Sequence, residues 1–164
     1  MKGTMLTRRT ALRLALVSSA GMLSACTTTS LLDTGDTQAR DETAAALPLT
    51  NRVRNAKGLP PLVIDSASSK AALFQAGRMA KAKEMRHLIG FRDSFYDRMK
   101  ASGVTLPAAE NIATGQSDVA RAVDAWVHSP KHLENMLGNY TKLGVAVAYD
   151  TSTNRPYWAM VLSN

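Results

Sequence analysis

Cysteine is nearly absent from this sequence: its 164 residues contain one, Cys26. An internal disulfide is impossible, so cysteine-stapled scaffolds are excluded and any folded part must hold by packing. Aromatic residues are scarce, at 5%, and no basic run interleaves with them. That argues against a single-strand nucleic-acid binder. Long apolar runs are missing too. The stretch at residues 14–23 is ten residues long, half of the ~20 a permanent membrane-spanning helix needs. Acidic residues are missing from the first 25 positions, which carry Lys2, Arg8, Arg9 and Arg13. The formal charge of +7 is therefore concentrated at one end, and the remainder of the chain balances at +3. No nucleic-acid partner is expected from so small a surplus.

What is present is alanine in abundance and a hydrophobic fraction of 45%, ordinary for a globular protein. Small side chains in that proportion predict helices that pack closely. From Cys26 onward 139 residues remain, enough to bury roughly two thirds of the surface of the unfolded chain.

The first residues read as an address. A basic start, a short apolar run and Leu23-Ser24-Ala25-Cys26 follow one another, the order of a signal peptide. The last four residues resemble a bacterial lipobox, in which the cysteine thiol is acylated and becomes the new N-terminus. Thr7-Arg8-Arg9-Thr10-Ala11-Leu12-Arg13 resembles a twin-arginine export signal, with Ala11 where a bulky apolar residue is usual. The predicted organisation is a signal peptide over 1–25, a flexible tether over 26–41 and a folded domain over 42–164. The fifteen mostly polar residues after Cys26 reach at most about 50 Å, so the domain would stand clear of a membrane held through lipidated Cys26. The absence of an acid at Thr27 implies, by the same resemblance, the periplasmic side of the outer membrane if the cell is Gram-negative.

Within the domain, residues 41–57 predict one or two helical turns broken at Pro48, then a helix stopped by Gly58. Leu59-Pro60-Pro61-Leu62 is an extended connector, because each proline disfavours helix in the residue before it. Asp65 is an N-cap for a helix over 66–83 whose small side, Ala67, Ala71, Ala72, Ala76 and Ala80, invites a second helix. On it, Arg78, Lys81 and Lys83 read as a solvated face. Phe91, Phe95 and Met99 are four apart, which predicts one face of a short helix closed by Gly103. Val119, Ala122, Val123, Trp126 and Val127 carry the clearest amphipathic spacing in the chain. Ser129-Pro130 starts a further helix, with Ser129 as N-cap and its hydroxyl in the cap, and Pro130 at the first position. Two strands, 143–149 and 156–162, joined by a short polar loop, predict a terminal hairpin. Helices first and strands last make an α+β layered domain.

The chemistry centres on Ala109-Glu110-Asn111-Ile112-Ala113, a single acid in an apolar run. A buried acid costs several kcal/mol unless paired, on the order of 2–7. His87 and His132 flank it 23 and 22 residues away, and the spatial expectation is that the three side chains share one cleft. Neutral imidazoles could satisfy the acid or hold a metal. His132, in the first turn of its helix, should have its pKa lowered by the amide donors and the helix dipole. The plain alternative is that Glu110 is a satisfied structural acid.

Gly58-Leu59-Pro60-Pro61-Leu62, Met85-Arg86-His87, the Glu110-Asn111-Ile112 run through Gly115, Trp126-Val127-His128-Ser129-Pro130-Lys131-His132-Leu133, and finally Gly144-Val145-Ala146-Val147 with Tyr157-Trp158-Ala159 appear in order. Together they resemble the CAP, or SCP-like, domain of cysteine-rich secretory proteins, plant pathogenesis-related proteins and many bacterial extracytoplasmic proteins, in a short bacterial form. The likeness covers roughly residues 45–163. It implies an α–β–α sandwich with a small antiparallel sheet and an open cleft lined by two histidines and two glutamates. His87, Glu110 and His132 match three of those four. Ser129 stands where the second glutamate is usual, so the set is incomplete.

Three functional readings follow. The leading one is an envelope-located, lipid-anchored binding module whose cleft takes a small or lipid ligand, with a weak divalent-metal site at His87 and His132, zinc being the natural ion for two imidazoles plus oxygen donors. The second is a hydrolase with Glu110 as general base beside His87 and His132, or with Ser129 and His132 as a nucleophile pair. The third is a structural protein whose surface contacts envelope components.

Overall fold

The computed structural model describes residues 38–164; the expected signal peptide, Cys26 and most of the tether lie outside the described residues. The elements in order are β1 (Gln38–Asp41), α1 (Thr43–Asn55), β2 (Val63–Ile64), α2 (Ser66–Ala82), α3 (Phe95–Ser102), β3 (Ala109–Thr114), α4 (Val119–Val127), α5 (Pro130–Met136), β4 (Lys142–Tyr149) and β5 (Pro156–Ser163). The main path of the sheet runs β1-β4-β5-β3, all antiparallel, with the two-residue β2 added parallel to the start of β4. No helix among the described residues is long and apolar enough to cross a membrane.

Alternation along the strands gives the sheet two unlike faces. Ile112, Ala146, Ala148, Tyr157, Ala159 and Val161 pack against α2 and α3. Leu143, Val145, Val147, Trp158, Met160 and Leu162 pack against α1, α4 and α5. The result is an α–β–α sandwich, as expected. Small residues dominate where α2 meets the sheet, so its alanine side lies against β4 and β5 and not chiefly against another helix. The approach is closest at Gly144, where an added Cβ would stand 2.1 Å from the Ser68 carbonyl carbon.

Several local expectations are met by capping chemistry. Asp65 accepts from the Ser68 amide, Asp118 from the Arg121 amide, and Gly103 closes α3 with φ +78°. The β4–β5 hairpin is tied by Asp150, which accepts from Thr153 and Ser152; the Thr153 hydroxyl and then the Ser152 amide hold its carboxyl down to about 2.

Other expectations are corrected. Residues 38–41, assigned to the tether by composition, form β1 on the edge of β4, because their backbone completes hydrogen bonds that β4 offers. The folded domain thus includes Gln38–Asp41, ahead of the expected start at residue 42. Helix α1 runs unbroken through Pro48. The carbonyl that the proline leaves unpaired belongs to Ala44, and both residues are exposed, so water can serve it. Tertiary contacts hold the helix: Thr43 and Ala46 are buried, and Arg54 donates to the carbonyls of Pro60, Met136, Gly138 and Tyr140. Phe91 does not join the face of Phe95 and Met99. Ser94 caps α3 after it, and Phe91 is 91% exposed. Arg78 is not a solvated cation; it pairs with Asp93 and donates to the Ile89 carbonyl.

The closest packing in the sandwich yields a direct test. Gly144→Ala should lower stability by roughly 3 kcal/mol or more, because the clash is with backbone atoms that no rotamer change relieves. Chemical denaturation measures it, and a variant within experimental error of the wild type would contradict the close contact.

Candidate functional site

Strand β3 is an edge of the sheet, bonded on one side to β5. Its alternation sends Glu110, with Ile112, toward α2 and α3, and Asn111 toward α4 and α5. Glu110 is buried and needs positive charge. Arg98 of α3 supplies it, donating from Nη1 to Oε2 at 2.9 Å and from Nη2 to Oε1 at 3.3 Å. Both side chains are almost wholly buried, so the fork is a desolvated ion pair. The same Nη2 donates to the His87 carbonyl at 2.9 Å.

The segment after α2 is therefore pinned by its backbone. Gln75 Nε2 donates to the carbonyls of Arg86 and His87. Asp93, held by Arg78, accepts from the Ile89 amide at 2.7 Å, and these contacts, with the nearby Arg98, hold its carboxyl below the usual carboxylate range against the opposing effect of burial. With its main chain fixed on both sides, the His87 ring turns inward, and Nδ1 lies 2.9 Å from Glu110 Oε1. Because Arg98 fixes the carboxylate as acceptor, Nδ1 is the donor, and in the neutral ring Nε2 then carries the lone pair. The His87 side chain is 51% exposed. It lines a small cavity of about 210 Å³ with Phe95 and Glu110.

His132 reaches the site from the other layer. It lies on α5, which begins at Pro130 as expected. Asn111 Nδ2 donates to the His132 carbonyl at 2.9 Å, and Asn135 Nδ2 donates to Asn111 Oδ1 at 2.8 Å. Trp126 Nε1 donates to the Ile112 carbonyl at 3.1 Å, which covers the unpaired edge of β3. The His132 pKa is lowered, first by burial and second by the neighbouring His87. The direction is the expected one, and its causes are desolvation first and a second imidazole after it. Glu110 and His87 are thus directly bonded. His132 makes no hydrogen bond to Glu110, whose oxygens His87 and Arg98 occupy, and does not line that cavity; its link to His87 is electrostatic. Ser129 is the N-cap residue of α5, yet its hydroxyl makes no cap hydrogen bond, contrary to expectation.

A zinc site is a poor fit to this donor set. Glu110, the acid bonded to His87, is neutralised by Arg98, and no group of three His, Cys, Asp or Glu side chains suited to a metal stands together among the described residues. Two imidazoles alone fall short of the three protein ligands of a catalytic zinc, so no chemistry is routed through a metal.

Arg98 and Asp93 escaped the reading of the sequence. The available signal was positional: Arg98 follows Phe95 by three and precedes buried Met99 by one, which places it at the border of the buried face of α3.

The family model for the cysteine-rich secretory protein family, CAP, matches residues 47–162. The chain is 38% identical over 99 residues to the uncharacterized protein YkwD of Bacillus subtilis, covering 59% of this chain and 38% of that protein. It is 33% identical over 103 residues to the uncharacterized membrane protein YlbC of the same organism, covering 62% and 30%. It therefore spans well under half the length of either relative. Among solved structures, an extracellular SCP-domain protein of Bacillus anthracis superposes with a TM-score of 0.65 at 25% identity, covering 75% of this chain and 40% of that one. An outer surface protein of Borrelia burgdorferi gives 0.65 at 22% identity, covering 74% and 90%.

Two outcomes test the geometry. Arg98→Met leaves the Glu110 charge buried without its main partner and should cost about 3–5 kcal/mol. The double variant Arg98→Met/Glu110→Gln should recover a large part of that loss in denaturant melts, whereas additive losses would deny the pairing. His132, with its pKa lowered on folding, is protonated more readily in the unfolded chain. Its contribution to stability is complete above the ordinary histidine value and is lost as pH falls from there through the folded value. The urea midpoint should drop further between about pH 7.5 and about pH 5 in the wild type than in His132→Gln; equal slopes would contradict the shift.

Proposed function

Because the chain belongs to the cysteine-rich secretory protein (CAP) family, we propose that it is an extracytoplasmic, lipid-anchored binding module that presents His87 to a ligand in the cleft beside β3. One observation carries this reading. Both oxygens of Glu110 are already engaged, by His87 and by Arg98. An acid so held orients an imidazole; it is not available to take a proton from water. In the neutral ring the atom offered to a ligand is His87 Nε2, an acceptor on a half-exposed imidazole beside Phe95. A ligand with a donor group next to an apolar surface fits that pair.

The location rests on the lipobox-like sequence ending at Cys26. The relatives support it in kind: one is named a membrane protein, another is extracellular and a third is an outer surface protein. On this reading the lipid at Cys26 holds the domain at the membrane, and the cleft faces the envelope space.

A second reading, hydrolysis, draws on a single feature. The Ser129 hydroxyl is not spent on the helix cap, and His132 lies three residues further along the chain. The version that uses Glu110 as general base has no support from the geometry, for the reason just given.

The test is a thermal-shift panel of peptidoglycan fragments, lipopolysaccharide and phospholipids against the wild type, His87→Ala and Glu110→Gln. A cleft ligand at a hundredfold excess over its Kd should stabilise the wild type by about 2.7 kcal/mol and leave His87→Ala unmoved. Equal shifts in both proteins would remove the cleft from the function. Turnover of any compound would move the assignment to hydrolysis. In cells, Cys26→Ser should shift the protein from the membrane to the soluble fraction.

A further inference from the structure

A larger cavity, about 460 Å³, is lined by α2, by α3 and by the segment that leads into α3, with Arg98 in its wall. Its volume falls within the roughly 300–1,000 Å³ typical of ligand sites. It shares no lining residue with the cleft of His87, Phe95 and Glu110; Arg98, which lines it, meets that cleft only through its ion pair with Glu110. The apolar part of its wall is Leu73, Phe74 and Ala101. Leu73 is buried, while Phe74, an aromatic ring on a helix that otherwise buries its large apolar side chains, is 49% exposed. A single exposed ring is ordinary on a protein surface; this one borders a hollow of ligand size.

The charges at the cavity are unequal. Lys70 and Arg92 are exposed members of its lining, and neither meets a carboxylate among the described residues. Of the two acids in the lining, Asp93 is already paired with Arg78, which leaves Asp97 alone against two cations. Deeper in, Arg98 is nine-tenths buried, and its Nε is a donor with no hydrogen-bond partner among the described residues; the nearest acceptor, Asp93 Oδ1, stands off at 3.4 Å. A buried donor left without an acceptor is costly, and a ligand atom bearing a lone pair would satisfy it.

We propose that the α2–α3 cavity is a second ligand site, which takes an anionic amphiphile with its apolar body against Leu73, Phe74 and Ala101 and its charged head at Lys70 and Arg92. The occupant is a molecule entering the cavity as a monomer, not a bilayer surface.

The probes are 1-anilinonaphthalene-8-sulfonate, an anionic amphiphile, and N-phenyl-1-naphthylamine, its neutral counterpart, titrated by fluorescence into the wild type and two variants. Ala101→Trp fills the cavity from an exposed helical position. Lys70→Glu/Arg92→Glu reverses the charge at two exposed positions without touching the apolar wall. The wild type should bind the sulfonate saturably at one site. Ala101→Trp should weaken both probes at least tenfold. The charge reversal should weaken the sulfonate at least tenfold and leave the neutral probe within twofold. Dodecanoate below its critical micelle concentration should displace the sulfonate. Unchanged sulfonate affinity in both variants, with folding verified by circular dichroism, would overturn the site. So would equal loss of both probes on charge reversal, or displacement by phosphatidylglycerol vesicles but not by monomeric dodecanoate.

Discussion

A carboxylate on the inward face of an edge strand cannot remain there without positive charge, and the Glu110–Arg98 pair is how this domain resolves that demand. Breaking such a pair costs more than the pair itself contributes, so everything that positions Arg98 is under constraint. Ser94 and Gly103 set the limits of the short helix that carries it. The Arg98 guanidinium also holds the His87 carbonyl, and with it the segment that leads from α2 to α3. The orientation of the exposed imidazole is therefore a consequence of neutralising a buried acid.

The sheet distributes the rest of the structure around that pair. On one face Gly144, Ala146, Ala148 and Ala159 are small enough to let α2 approach at backbone distance. The other face is bulky, with Trp158, Met160 and Leu162, and supports α1, α4 and α5. Arg54, buried and with its pKa lowered by burial, fastens α1 to the end of α5 and the turn beyond it through three carbonyls, and to the connector after α1 through a fourth, that of Pro60. That attachment fixes the end of the helix that carries His132. The two histidines belong to opposite layers, while Asn111 bonds the second layer to the strand that carries the acid of the first.

Much of this was legible along the chain. Caps at Asp65, Asp118 and Ser129-Pro130 are local chemistry, since a side chain or a ring meets amides within three residues. The hairpin at Asp150 is equally local. The ordered motifs named the family and marked His87, Glu110 and His132. What escaped was long-range. Residues 38–41 have no strand character of their own and become β1 because β4 has an open edge. Pro48 fails to stop α1 because tertiary contacts outweigh one lost hydrogen bond. Arg78 and Arg98 look like ordinary surface cations until Asp93 and Glu110 are brought beside them. The Ser129 hydroxyl is the converse case: the residue sits where local chemistry puts it, but its side chain does not make the local bond.

By itself, the sequence determined the address-like N-terminus, the layered α+β class, most helix limits and the three residues around which function is argued. These are properties of composition, spacing and neighbours within a turn. Only the tertiary structure decided that Glu110 serves His87 and Arg98 and not water, that His132 makes no bond to the acid, and that a second cavity opens with Arg98 in its wall. Those outcomes depend on which charges meet when distant segments are buried together. The cost of an unpaired buried charge is set by the surroundings in the folded domain, which no stretch of sequence carries alone.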